Sequence, residues 1–220
     1  MHAPNENTQS MRYLSFSMAA LCCLAAKGRE TALPAPDTTA GMPVMEAFAK
    51  RQSTRQFDSR ALSRQELSNL LWATMGMNRP ETSRLTAPSC QNKQEIRLYV
   101  FTSDGAYEYI PATHSLDTVA TGDHRALVAG RQDFVCEAPV SLVIVADMDR
   151  FGSTDARAMM MAAVDAGIVS ENACLAASGL GLATVPRASM DTAAITTLLG
   201  LNERQIPLMN NPVGHFRAAE

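Results

Sequence analysis

The chain has 220 residues, of which 46% are hydrophobic and 19% charged, with a formal net charge of −3. That is apolar material for one good core, so a single domain is the simplest arrangement, and a pI near 5.8 excludes a broad nucleic-acid footprint. Five cysteines, at 22, 23, 90, 136 and 174, are odd in number and widely spaced, the four histidines lack ligand spacing, and no CxxC, HExxH, GxSxG or GxxxxGK[ST] occurs; no disulfide framework, metal site or P-loop is indicated.

In chain order, Tyr13 to Ala26 is uncharged and apolar, with Arg12 before it and Lys27 and Arg29 after it. It is too short for a membrane span and fits the core of a signal peptide. We therefore expect residues 1–26 to be a leader that directs export to the periplasm or cell envelope. Lipid attachment at Cys22 or Cys23 is the alternative, and the only route to a membrane. Residues 27–41, KGRETALPAPDTTAG, read as a linker, and residues 42–220 as the folded domain.

Met42 to Lys50 reads as a short helix with Pro43 near its start. The stretch KRQSTRQFD, Lys50 to Asp58, follows. If it were helical, Arg51 and Arg55 would share a face and Ser53 would point away; if extended, all three point the same way. Two guanidinium groups and a hydroxyl on one edge suit a phosphate; the plain alternative is a solvated basic stretch. Ser63 to Ala73 opens with a capping box, Ser63 and Glu66, and Gly76 ends that helix. A long polar loop leads to a strand at Ile96–Thr102, a turn at Asp104-Gly105 and a second strand at Tyr107–Ile110. Asp117 to Gln132 reads as weakly helical. Val140 to Asp147, VSLVIVAD, is a strand buried on both faces. Asp155 to Leu180 is a long helix that is apolar over most of its circumference. A short strand at Leu182–Pro186, a helix at Asp191–Leu199 capped by Asp191 and a last strand within Pro207–Phe216 complete the order. The fold class is α+β, a three-layer α/β/α sandwich around a mixed, mostly antiparallel sheet. A Rossmann arrangement fails, since no GxGxxG leads from a strand into a helix.

Besides Arg51, Ser53 and Arg55, two segments offer polar groups for a planar ligand. Ala87 to Gln94, APSCQNKQ, has Pro88 to fix the backbone, and Asn92 supplies both a donor and an acceptor; a turn-forming loop is the alternative. Gly179 to Ser189, GLGLATVPRAS, leaves a strand at Pro186, and N–H groups past a strand end are free to donate; an ordinary strand-to-helix connection is the alternative.

Taken in order with PVGHF near the C-terminus, these segments resemble the FMN-dependent nitroreductase superfamily over about four-fifths of the chain. LLWATMGMNRPETSRLTAPS and RLYVFTSDGAYEYIPATHSLD are more like its azoline peptide dehydrogenase branch. The resemblance implies a homodimer with FMN at the interface. Arg51 and Ser53 correspond to phosphate contacts, Arg55 to a basic residue reaching the ribityl chain or pyrimidine edge, and Ser89 and Asn92 to the loop that meets the isoalloxazine. Ala188 and Ser189 correspond to a pair whose N–H groups face the flavin N5. The flavin carries the chemistry, so no protein side chain is expected to be a catalytic nucleophile; the substrate is a small molecule and NAD(P)H a candidate donor. Two departures stand out. Ala188-Ser189 replaces a Glu-Gly pair found in many members, and Arg217 is the only basic candidate beyond PVGHF. They support a rival reading, a non-catalytic flavin-binding or flavin-storage protein of the same fold.

Overall fold

The computed structural model describes residues 30–218; the expected leader, 1–26, lies outside them. In chain order the elements are β1 (Thr31–Ala32), α1 (Val44–Lys50), β2 (Phe57–Asp58), α2 (Arg64–Met75), β3 (Met77–Arg79), β4 (Arg84–Leu85), β5 (Ile96–Phe101), β6 (Gly105–Ile110), β7 (Ser115–Thr121), α3 (Arg125–Ala129), β8 (Val140–Asp147), α4 (Met148–Phe151), α5 (Ala156–Gly179), β9 (Leu182–Thr184), α6 (Thr192–Leu199) and β10 (Gln205–Phe216).

The main sheet runs β1-β7-β6-β5-β8-β10-β2, with β9 also paired to β10. All pairings between these strands are antiparallel, and its parallel component is an isolated bridge between Ser53 and Thr184. β8 lies at the centre with every residue buried. Alternation along β5 and β8 sorts their side chains into two cores. Leu98, Val100, Leu142 and Ile144 pack under α2 and α5. Tyr99, Phe101, Val143 and Val145 pack with Val128 of α3 and Ile195 of α6. Helices therefore cover both faces, giving the three layers expected.

Local chemistry accounts for the helices. Ser63 Oγ accepts from the Glu66 N–H at 3.2 Å, and Glu66 Oε2 accepts from the Ser63 N–H at 2.7 Å, so the capping box of α2 is closed. Asp155 caps α5 by accepting from the Ala158 N–H at 2.8 Å. Ala158, Ala162, Ala166, Val169, Ala173 and Ala177 form a buried stripe along α5. Small residues at helical spacing let this helix lie close to its neighbours.

One expectation fails. Asp117 to Gln132 is not a weak helix: its first part belongs to β7, Gly122 (φ +89°) turns the chain, and only α3 is helical. Thr118, Val119 and Thr121 are β-branched and favour a pleated surface, and β7 lies between β6 and β1. Within the expected linker, Thr31 and Ala32 pair with Leu116 and Ser115 of β7. The loop expected after α2 carries a small separate ladder, β3 with β4.

Candidate functional site

α1 ends at Arg51, whose N–H donates to Ala47 O at 2.9 Å, and the backbone then turns extended. Residues far along the chain hold it so. Ser53 bridges Thr184, the Thr54 N–H donates to Thr184 O at 2.9 Å, and Thr184 Oγ1 donates to Pro212 O at 2.8 Å. In an extended segment Arg51, Ser53 and Arg55 emerge on the same side. Among the described residues, neither guanidinium makes a hydrogen bond or ion pair. Arg51 faces a cleft of 590 Å³ that Cys174, Gly181 and Thr184 also line. Burial, then the Glu171 charge, pushes the Cys174 thiol up to about 11, against the opposing pull of Arg51.

The strand β9 leads from that ribbon to Arg187, Ala188 and Ser189. Arg187 is buried. Its Nε donates to Gln132 Oε1 at 2.8 Å, Nη1 to Val128 O at 3.1 Å and Asn210 Oδ1 at 2.6 Å, and Nη2 to Ala129 O at 3.0 Å. Its guanidinium also lies 5.6 Å from the Phe134 ring centroid. No carboxylate pairs with it among the described residues; burial, and after it the Arg55 charge, lowers its pKa. Arg187 and Asn210 exchange backbone hydrogen bonds at 2.8 and 2.7 Å, and Asn210 Nδ2 donates to Ser189 O at 3.0 Å. Ala188 and Ser189 are thereby presented at the surface, with N–H groups that donate to nothing among the described residues. Ser189 borders a cleft of 690 Å³ with Gly130, Arg131 and Gln132.

Ser89 and Asn92 sit elsewhere. Ser89 Oγ accepts from the Gln94 N–H at 2.9 Å, Asn92 Oδ1 accepts from Gln94 Nε2 at 3.2 Å, and the Cys90 N–H donates to Asp165 Oδ2 on α5 at 2.7 Å. This loop lines a third cleft, of 450 Å³, against β3 and β4. One chain thus brings Arg51, Ser53 and Arg55 together with the segment that carries Ala188 and Ser189. It does not bring Ser89 and Asn92 into the same cleft as either. Arg187 was missed in the sequence, where a charge one residue before Ala188 gives no sign that it turns inward; only the packing of α3 and β10 around it does.

The arrangement offers a patch of uncommitted cations, free backbone donors and a separate polar loop. It suits an elongated anion with a planar, acceptor-bearing head. Comparison with known proteins points the same way. The sequence profile of the nitroreductase family matches residues 48–215. A Methanocaldococcus jannaschii protein provisionally described as a nitroreductase is 32% identical over 182 residues, 77% of this chain and 89% of its own length. A crystal structure from Ralstonia eutropha JMP134, described in the same provisional terms, superposes with a TM-score of 0.81 at 36% identity, covering 87% of this chain and 91% of that one. The NADPH:FMN oxidoreductase of Vibrio harveyi, solved with NAD+, shares the fold at a TM-score of 0.61 and 22% identity, over 80% of this chain and 69% of its own. The chain belongs to the nitroreductase family, and with it to the flavin-dependent oxidoreductases.

Proposed function

We propose that the protein binds FMN between two copies of the chain and passes electrons from a donor to a small organic acceptor, such as a nitro compound or a quinone. The observation that carries this reading is the extended ribbon with Arg51, Ser53 and Arg55 on one side, whose two guanidiniums make no hydrogen bond or ion pair among the described residues. Arg51 and Ser53 would hold the phosphate and Arg55 the ribityl chain or pyrimidine edge. The N–H groups of Ala188 and Ser189 would donate to the ring, and the 89–92 loop of the second copy would close over it. When bound, the flavin supplies the hydride and electron transfer. The protein's part is to bind and orient it, with Arg55 and Arg187 favouring negative charge nearby.

The likeness of residues 70–89 and 97–117 to azoline dehydrogenases supports a second reading, dehydrogenation of a small or peptide substrate. The leader reading of residues 1–26 belongs to the same proposal. Outside the cytoplasm NAD(P)H is not supplied, so an exported protein would draw on another reductant.

The test is an absorption spectrum of the purified chain, followed by reduction and turnover with a nitroaromatic or quinone. Protein that is yellow and turns over supports the enzyme, and protein that is yellow and inert supports storage. Arg51→Ala should lower FMN affinity by about 1.5–3 kcal/mol, the worth of a charge-assisted hydrogen bond. Fluorescence titration reads this directly, and unchanged affinity returns the segment to a solvated basic stretch.

A further inference from the structure

The β3–β4 ladder has an arrangement that its own stability does not explain. Arg79 and Arg84 are register partners, so two like charges leave the same face directly opposite each other, an unfavourable pairing. Glu81, in the turn that joins them, forms no ion pair with either among the described residues. Both arginines line the 450 Å³ cleft, and its opposite wall holds Ser89, Gln91 and Asn92. Among the described residues no acidic side chain lines it.

The cleft walls are rich in unused donors. Arg79 spends two N–H groups, on Asn78 Oδ1 at 3.2 Å and Leu85 O at 3.3 Å, and the Arg84 guanidinium makes no hydrogen bond or ion pair among the described residues. A guanidinium has five such donors. Ser89 Oγ and Asn92 Oδ1 have their acceptor sides engaged by Gln94, which leaves the hydroxyl proton and the amide NH₂ available. Gln91 and Asn92 are held at φ 53° and 56°, a region non-glycine residues seldom occupy unless the surroundings impose it. The Cys90–Asp165 hydrogen bond, 2.7 Å, anchors the loop to α5. A pre-shaped wall of donors opposite two uncompensated cations suits an oxyanion and disfavours cations.

We infer that the cleft between the β3–β4 ladder and the 88–92 loop is an anion-recognising subsite, which takes a carboxylate or phosphate group of the small-molecule substrate. Its role toward the substrate rests on the flavin reading above, in which Ser89 and Asn92 turn to the isoalloxazine and leave Arg79 and Arg84 to hold the anion beside it; in the FMN-free chain all four groups are open to an anion, so the anion site itself does not rest on that reading.

The experiment is calorimetric titration of the full chain, with and without FMN, using benzoate, phenyl phosphate and the neutral benzyl alcohol. At least one anion should bind roughly tenfold or more tightly than the alcohol, and the preference should shrink as salt is raised. Whichever anion binds more tightly identifies the group. Arg84→Gln should remove most of the preference while leaving FMN content unchanged; the Arg84 side chain is exposed and has no hydrogen bond or ion pair among the described residues, and glutamine keeps the backbone pairing with Arg79, so the variant should fold. Equal or absent binding of both anions overturns the subsite, as does an unaltered preference in Arg84→Gln. A chain that fails to hold FMN overturns the flavin reading instead, and the FMN-free titration still reads the subsite.

Discussion

Beneath the loop that carries Ser89 and Asn92 lie two buried carboxyls, Glu95 and Asp165. Among the described residues neither oxygen of Glu95 has a partner in good hydrogen-bond geometry. Asp165 lies beside it, and its own Oδ2 accepts from the Cys90 N–H. Burial first, and the Asp165 carboxyl after it, pushes the Glu95 pKa from 4.5 to about 7, with the residue's own backbone N–H and, less strongly, Lys93 opposing. The folded state therefore keeps a proton that the unfolded state releases above about 4.5. Glu95 imposes no penalty below that pH; stability then falls as pH rises toward 7 and levels off beyond it. The full loss is about 3 kcal/mol. Urea unfolding of the wild type and Glu95→Gln from pH 4 to pH 8 should show the variant gaining on the wild type by that order. A constant difference across the window would mean that Glu95 is solvated or ionised in the native protein.

Elements whose boundaries are set by neighbouring residues were legible in the sequence, and those set at a distance were not. The capping box of α2, the Asp191 cap of α6, which accepts from the Ala194 N–H at 3.0 Å, and the two-sided burial of β8 all follow from a few adjacent side chains. β7 was misread because its identity comes from lying between β6 and β1, and β1 is more than eighty residues before it. The site divides the same way. That Arg51, Ser53 and Arg55 could share one side was visible from their alternation, but what holds them extended is Thr184. The glycine of PVGHF likewise acquires its reason only in the fold. A Cβ on Gly214 would come 2.7 Å from Pro139 Cδ and 3.4 Å from a Phe57 ring carbon, beside the β9–β10 pairing that supports the ribbon. The proline ring cannot swing aside, so Gly214→Ala should cost about 1–3 kcal/mol, read from the urea midpoint. A neutral result would show that β10 can shift without loss.

On the scale of the whole molecule, α1 is a helix with its apolar side uncovered. Of its seven residues only Ala47 is buried, against the end of α5, where Ser178 Oγ donates to Ala47 O at 2.7 Å. Val44, Met45 and Phe48 are 61%, 75% and 51% exposed, and Met160 and Val164 of α5 are 55% and 51% exposed. A short helix that faces apolar side chains outward gains little from its own chain, and exposed apolar side chains on both α1 and α5 are what a second copy of the chain could cover. The flavin site proposed above would need the same thing, a second copy to bring an 89–92 loop to the ribbon and the 187–189 segment. The two requirements are linked, so disrupting one should disrupt the other. The wild-type chain should sediment as a dimer. Phe48→Glu, at a position that is half exposed in the single chain, should shift it toward monomer and weaken FMN binding in parallel, and raising the protein concentration should restore both together. A Phe48→Glu monomer that binds FMN as tightly as the wild type would place the whole cofactor site within one chain and leave the exposed side of α1 without this role.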